Sequence, residues 1–203
     1  MPKTHPIPRY DRQASPDLRF DDQHRRIQEL RDAWVKWIQD SDLNSPFFFT
    51  GHYRRPHSRQ DATQTNRKFL RILNENSFGR AGRMRGKKPP AIQATRFPVI
   101  EKNPLQGGTE SHHTHIIFDV PYGFDPSEFR NKTVWAWNKA NGGDCDVDVR
   151  ADLSPDNLLR CAAYSAKGRQ KEFFGFDQNL DVQNVWVETK KFVKGTSGSG
   201  YPS

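Results

Sequence analysis

The order of periodic segments between residues 46 and 150 constrains this chain most. Strand-like and helix-like runs follow one another there as strand, helix, strand, strand, helix, strand. Pro46 leads into the aromatic run FFFTGHYRR, which reads as a strand. Ser58 is placed to cap a helix reaching about Asn76, with Phe69, Ile72 and Leu73 inward. A basic Gly/Pro loop, FGRAGRMRGKKPP, comes next. Residues 91–102 read as a strand, Gly107-Gly108 as a turn and residues 111–120 as another strand. A helix starting at Asp125 or Ser127 passes Trp135 and Trp137 to about Ala140, where Asn141-Gly142-Gly143 ends it. Residues 145–150, CDVDVR, alternate as a strand. This is the split βαβ order of a ferredoxin/RRM-like βαββαβ core. The expectation is an α+β fold with an antiparallel central sheet, helices on one face and the other face open for a site. Such a fold licenses no function by itself.

The flanks are less regular. Residues 1–20 hold Pro2, Pro6, Pro8 and Pro16 and read as an extended arm. Residues 22–40 are helical in period through Ile27, Leu30, Trp34, Trp37 and Ile38. Ser154-Pro155-Asp156 starts a helix that runs to about Lys167, where Gly168 stops it. A last strand is expected at 184–189, and residues 195–203 have linker composition. Residues 21–194 therefore read as one domain. Hydrophobic residues at 33% and aromatics at 12% can build one modest core. No apolar run of about 18 residues occurs, so a membrane span is excluded. The opening MPKTHPIPRY lacks the apolar run of a secretory signal. Cys145 and Cys161 are too few for a disulfide scaffold or a four-cysteine zinc site. A soluble cytoplasmic protein is the expectation.

The formal charge of +8 is concentrated. Residues 54–88 hold Arg54, Arg55, Arg59, Arg67, Lys68, Arg71, Arg80, Arg83, Arg85, Lys87 and Lys88, opposed only by Asp61 and Glu75. The rest of the chain is nearly neutral. A solvated basic helix and loop would look the same. A nucleic-acid backbone is the other reading of such a run.

His113-Thr114-His115 lies on an expected strand, so the two imidazoles share a face about 6–7 Å apart, and His112 points the other way. A hairpin turn centred near Gly107 would set Glu101 opposite His113, with Cβ atoms about 5 Å apart. Two imidazoles and a carboxylate suit manganese or magnesium when phosphate adds oxygens, and zinc also takes such donors. Slipping the register by one residue would send Glu101 to the wrong face. The plainer explanation is incidental histidines and a surface glutamate. On the helix LLRCAAYSAKG, Arg160, Tyr164 and Lys167 fall on one side. Neighbouring cations favour a phenolate, whose ordinary pKa is about 10, and neutralise phosphate charge. A half-buried tyrosine with an adjacent lysine is the commoner meaning of that spacing.

Taken together these pieces resemble the HUH endonucleases, specifically single-tyrosine initiators of rolling-circle replication. Phe47–Gly51 (FFFTG) looks like the family's first motif, His113-Thr114-His115 its metal motif, Glu101 its acidic ligand, and Tyr164 with Lys167 its nucleophile helix. In conjugative relaxases the tyrosine precedes the histidines, so the order here matches the initiators. Thr114 stands where the family usually has a bulky hydrophobe. The resemblance covers about 46–167. It implies nicking and joining of single-stranded or hairpin origin DNA through a 5′-phosphotyrosine, with one Mn2+ or Mg2+ on Glu101, His113 and His115. Tyr164 would be the nucleophile, with Lys167 and Arg160 balancing charge. Arg54, Arg55, Arg59, Arg67, Lys68, Arg80, Arg83, Arg85, Lys87 and Lys88 would hold DNA, and sheet aromatics would stack on bases. No Gly-x-x-x-x-Gly-Lys-Ser/Thr loop is present, so helicase and polymerase would be separate proteins, in a bacterial cytosol or nucleoid. Two alternatives stand: a transposase of the same superfamily, and a non-catalytic RRM-like nucleic-acid-binding module.

Overall fold

Eight elements follow one another in the computed structural model: α1 (Phe20–Asp40), β1 (Pro46–His52), α2 (Arg59–Phe78), β2 (Arg96–Asn103), β3 (Ser111–Asp119), α3 (Pro126–Asn141), β4 (Val147–Arg150) and α4 (Pro155–Ser165). The structure describes residues 20–54, 58–83, 92–103, 111–166, 181 and 184–187. The expected arm before residue 20, the Gly107-Gly108 turn, most of the basic loop and the 195–203 tail lie outside them. So do Arg55, Arg85, Lys87, Lys88 and Lys167.

The helix starts follow the capping residues. Ser58 and Asp61 form a reciprocal capping box on α2, with Asp61 N–H donating to Ser58 Oγ at 3.1 Å. Asp125 and Ser154 cap α3 and α4, each with proline in the first turn. Gly142, at φ 77°, closes α3 in the left-handed conformation. Strand β2 begins only at Arg96; just before it Ile92 N–H donates to Ala81 O and Ala94 N–H to Asn74 Oδ1, so these amides bond outside the β2–β3 ladder.

The sheet order is β2-β3-β1-β4, every pair antiparallel. That is the ferredoxin-like order expected from the segment sequence. The expected last strand is reduced, among the described residues, to one bridge between Arg96 and Trp186.

Side-chain alternation sorts the core into two layers. On one face Phe47, Phe49, Ile116 and Phe118 pack with Phe69, Leu70 and Leu73 of α2 and Phe129, Ala136 and Trp137 of α3. On the other, Phe48, Phe97, Val99 and Ile117 pack with Trp34 and Ile38 of α1 and Cys161 and Ala162 of α4. The second face is therefore not open, which corrects the expectation of helices on one side only. α1 and α4 lie over it because three consecutive phenylalanines on β1 leave apolar area on both faces. Phe47, Phe48, Phe49, Phe97 and Phe118 are all buried, so these sheet aromatics are not available to stack bases. Each such ring buries about 150–250 Å² and is held by that burial.

Candidate metal centre

The β2–β3 register pairs Glu101 with His113, as the turn-centred pairing required, and Val99 with His115. Alternation then brings Glu101, His113 and His115 to the α1/α4 face, at the end of the sheet beyond Val99. All three are buried. Glu101 Oε2 lies 3.1 Å from His113 Nε2 and 3.1 Å from His115 Nε2, and the two nitrogens are 2.9 Å apart. This trio forms a potential metal-ion donor group.

The triangle fits a cation. Neighbouring ligands on a six-coordinate ion at about 2.1 Å stand about 3.0 Å apart. On a tetrahedral ion at that bond length they stand about 3.4 Å apart. Three acceptor-capable atoms pointed at one another are satisfied together by a central cation, whereas protons shared among them serve only part of the set. Burial alone would raise the Glu101 carboxyl. Hydrogen bonds from His113 and His115 outweigh it and hold the group at about 2, so it is a carboxylate at neutral pH. Burial also lowers the pKa of His115, against the pull of Glu101, which favours the neutral imidazole that a metal needs.

Strand β1 supplies a layer around these donors that the sequence did not reveal. Its residues 48, 50 and 52 share the triad's face. Thr50 pairs with His115 and His52 with His113 across the β1–β3 ladder. Thr50 Oγ1 lies 3.0 Å from His115 Nδ1. With Nδ1–H donating to that hydroxyl, the Nε2 lone pair is left for a cation. Phe48 stacks on His115 at 5.3 Å, and His52 stacks on His113 at 5.4 Å. The signal was the period-two alternation of FFFTGH, legible only once β1 is known to border β3. His113 Nδ1 is buried without a hydrogen-bond partner among the described residues.

Behind the site, Thr114 points to the opposite face. Its hydroxyl donates to Val99 O at 3.1 Å and accepts from Asn66 Nδ2 at 3.1 Å. Asn66 also donates to Asp181 at 3.0 Å and accepts from the Tyr53 hydroxyl at 3.0 Å. Threonine suits this position because the groups its hydroxyl meets, the Val99 carbonyl and the Asn66 amide, are polar.

Tyr164 stands beside the triad. Its ring meets His115 edge-on at 5.4 Å and Phe48 at 6.4 Å, and it is 45% exposed. Arg160 is exposed on the same helix. The basic residues distribute differently. Arg54 donates to Gly142 O at 2.6 Å and Lys68 to Ala140 O at 2.9 Å, so both close the carbonyl end of α3. Arg59 donates to Ile100 O at 3.1 Å. Its pKa is lowered by burial, which Asp181 opposes. Arg67 is exposed on α2, and Arg80 and Arg83 are exposed just after it. α2 itself packs on the sheet face opposite the triad.

No protein family, curated protein or solved structure matches this chain. The antiparallel sheet and the His-His-Glu group are compatible with the HUH pattern. No described helix is long and apolar enough to cross a membrane.

Proposed function

We propose that this protein is a metal-dependent nicking and joining enzyme for single-stranded DNA, of the single-tyrosine replication-initiator kind. The observation that carries the reading is the placement of Tyr164. A half-exposed phenol stands edge-on to His115 at 5.4 Å, on the sheet face that carries Glu101 and His113. A nucleophile and a phosphate-binding centre must be neighbours for in-line attack.

A divalent cation on Glu101, His113 and His115, Mn2+ or Mg2+, would polarise the scissile phosphate and stabilise the leaving oxygen. Tyr164 Oη attacks phosphorus and forms the new O–P bond as the 3′-oxygen departs. The phenolic proton is lost to solvent and the leaving oxygen gains one, so a 5′-phosphotyrosine and a free 3′-hydroxyl result. Attack by a 3′-hydroxyl reverses the step without ATP, because the phosphotyrosine keeps the ester bond. Arg160 lies one turn before Tyr164 and supplies positive charge near the phosphate. Lys167 has the same role in this reading. A separate helicase would open the duplex and a polymerase would extend the 3′-hydroxyl. Burial of the sheet phenylalanines removes the stacking platform that a non-catalytic RRM-like module would use.

The test is a denaturing gel of the protein with labelled single strands and Mn2+. A covalent adduct is expected with the wild type and none with Tyr164→Phe. His113→Ala should lose the adduct while keeping most DNA affinity. An adduct that persists in Tyr164→Phe overturns the assignment.

A further inference from the structure

We propose that His52 contacts the substrate of this centre, its ring N–H donating to a non-bridging oxygen of a phosphodiester. The proposal rests on the reading above of the triad as a phosphodiester site. His52 is opposite His113 in the β1–β3 ladder and, by alternation, on the same face as Thr50. Its ring stacks on that of His113 at 5.4 Å and 22°.

Burial separates the four side chains. His113, His115 and Glu101 are 8%, 3% and 9% exposed, whereas His52 is 44% exposed. His52 is thus the imidazole at the boundary between the buried donors and solvent, where an incoming ligand meets the protein. Its backbone is held on both sides. The N–H donates to Asp146 O at 3.0 Å, and the carbonyl accepts from Trp137 Nε1 at 3.3 Å. The ring therefore projects from a fixed base.

Near-parallel rings do not aim their in-plane lone pairs at a common ion. His52 is accordingly a neighbour of the centre and not a fourth ligand. A neutral imidazole always keeps one N–H, so donation needs no change of charge. Asp146 Oδ2 lies 4.0 Å from His52 Nε2, beyond a hydrogen bond, and at 86% exposure its repulsion of an incoming anion is screened by water. A divalent cation with one carboxylate keeps one net positive charge, which a phosphodiester balances.

The experiment compares the full chain with His52→Ala, His52→Phe and His52→Gln. Mn2+ affinity is read by electron paramagnetic resonance. Affinity of the Mn2+-loaded protein for dimethyl phosphate is read by 31P relaxation. Mn2+ affinity should stay near the wild-type value in all three variants. Phosphate affinity should fall about tenfold in His52→Ala and His52→Phe, the scale of one charge-assisted hydrogen bond, and largely return in His52→Gln, which keeps an N–H donor. Wild-type phosphate affinity in His52→Phe would overturn the proposal, because stacking alone would then suffice. Loss of Mn2+ affinity in step with phosphate affinity would also overturn it, and so would a wild-type protein that binds no dimethyl phosphate. His52-dependent phosphate binding without any Tyr164 adduct would uphold this proposal and sink the nicking reading.

Discussion

His115 meets Thr50 on one ring nitrogen and Glu101 on the other, so two polar contacts fix its rotamer. Thr50→Val keeps the shape and removes the hydroxyl that partners Nδ1. The expected cost is about 1 kcal/mol of stability, with about a tenfold loss of Mn2+ affinity. Thermal melts and Mn2+ titration read the two effects separately. Glu101 contributes to the acid sensitivity of the metal-free protein. Its carboxyl is held at about 2 against an ordinary 4.5, so its stabilisation is present above about pH 4.5 and is lost as pH falls toward 2. His115, with its pKa lowered, adds to the same trend, because acid must charge a buried imidazole. Glu101→Gln should flatten the Glu101 part of the acid limb in pH-dependent melts. Glu101, His113 and His115 were legible in the sequence because a hairpin register follows from one turn. Thr50 and His52 were not, because their partners lie about 60 residues away across β1–β3, a distance no local pattern encodes.

β1 carries more of the design than any other element. Its odd-numbered residues 47, 49 and 51 face α2 and α3, and its even-numbered residues 48, 50 and 52 surround the imidazoles. Gly51 sits where a Cβ would lie 2.5 Å from Trp137 Cε2, so α3 is seated directly on the strand. Gly51→Ala should cost about 1–3 kcal/mol through overpacking, read as a lower melting temperature. The capped helices and the four strands were all visible in the sequence, since capping residues and alternation are local. The lie of α1 and α4 over the second face was not. Both are amphipathic, but periodicity says that a stripe is buried without saying against what.

The whole molecule divides its tasks between the two faces of the sheet. The triad and Tyr164 occupy the α1/α4 side, and α2, with much of the described basic surface, occupies the other. Three of the segment's cations, Arg54, Arg59 and Lys68, donate to backbone carbonyls and help hold the fold. Replacing Arg67, Arg80 and Arg83 with glutamine should weaken single-strand DNA binding. The salt slope should flatten by about 0.7 for each DNA phosphate that these side chains no longer neutralise. Mn2+ affinity should not change. Filter binding across a salt series, beside a Mn2+ titration, checks this. An unchanged slope would mean that DNA does not use this surface.

The most direct measurement of the central claim is peptide mapping by mass spectrometry after incubation with single-stranded DNA and Mn2+, with the DNA then digested to a nucleotide remnant. The chain has five tyrosines: Tyr10, Tyr53, Tyr122, Tyr164 and Tyr201. The expected result is a phosphonucleotide on Tyr164 alone, formed by the wild type and absent from His113→Ala. A remnant on another tyrosine, or one that forms equally in His113→Ala, would contradict the account.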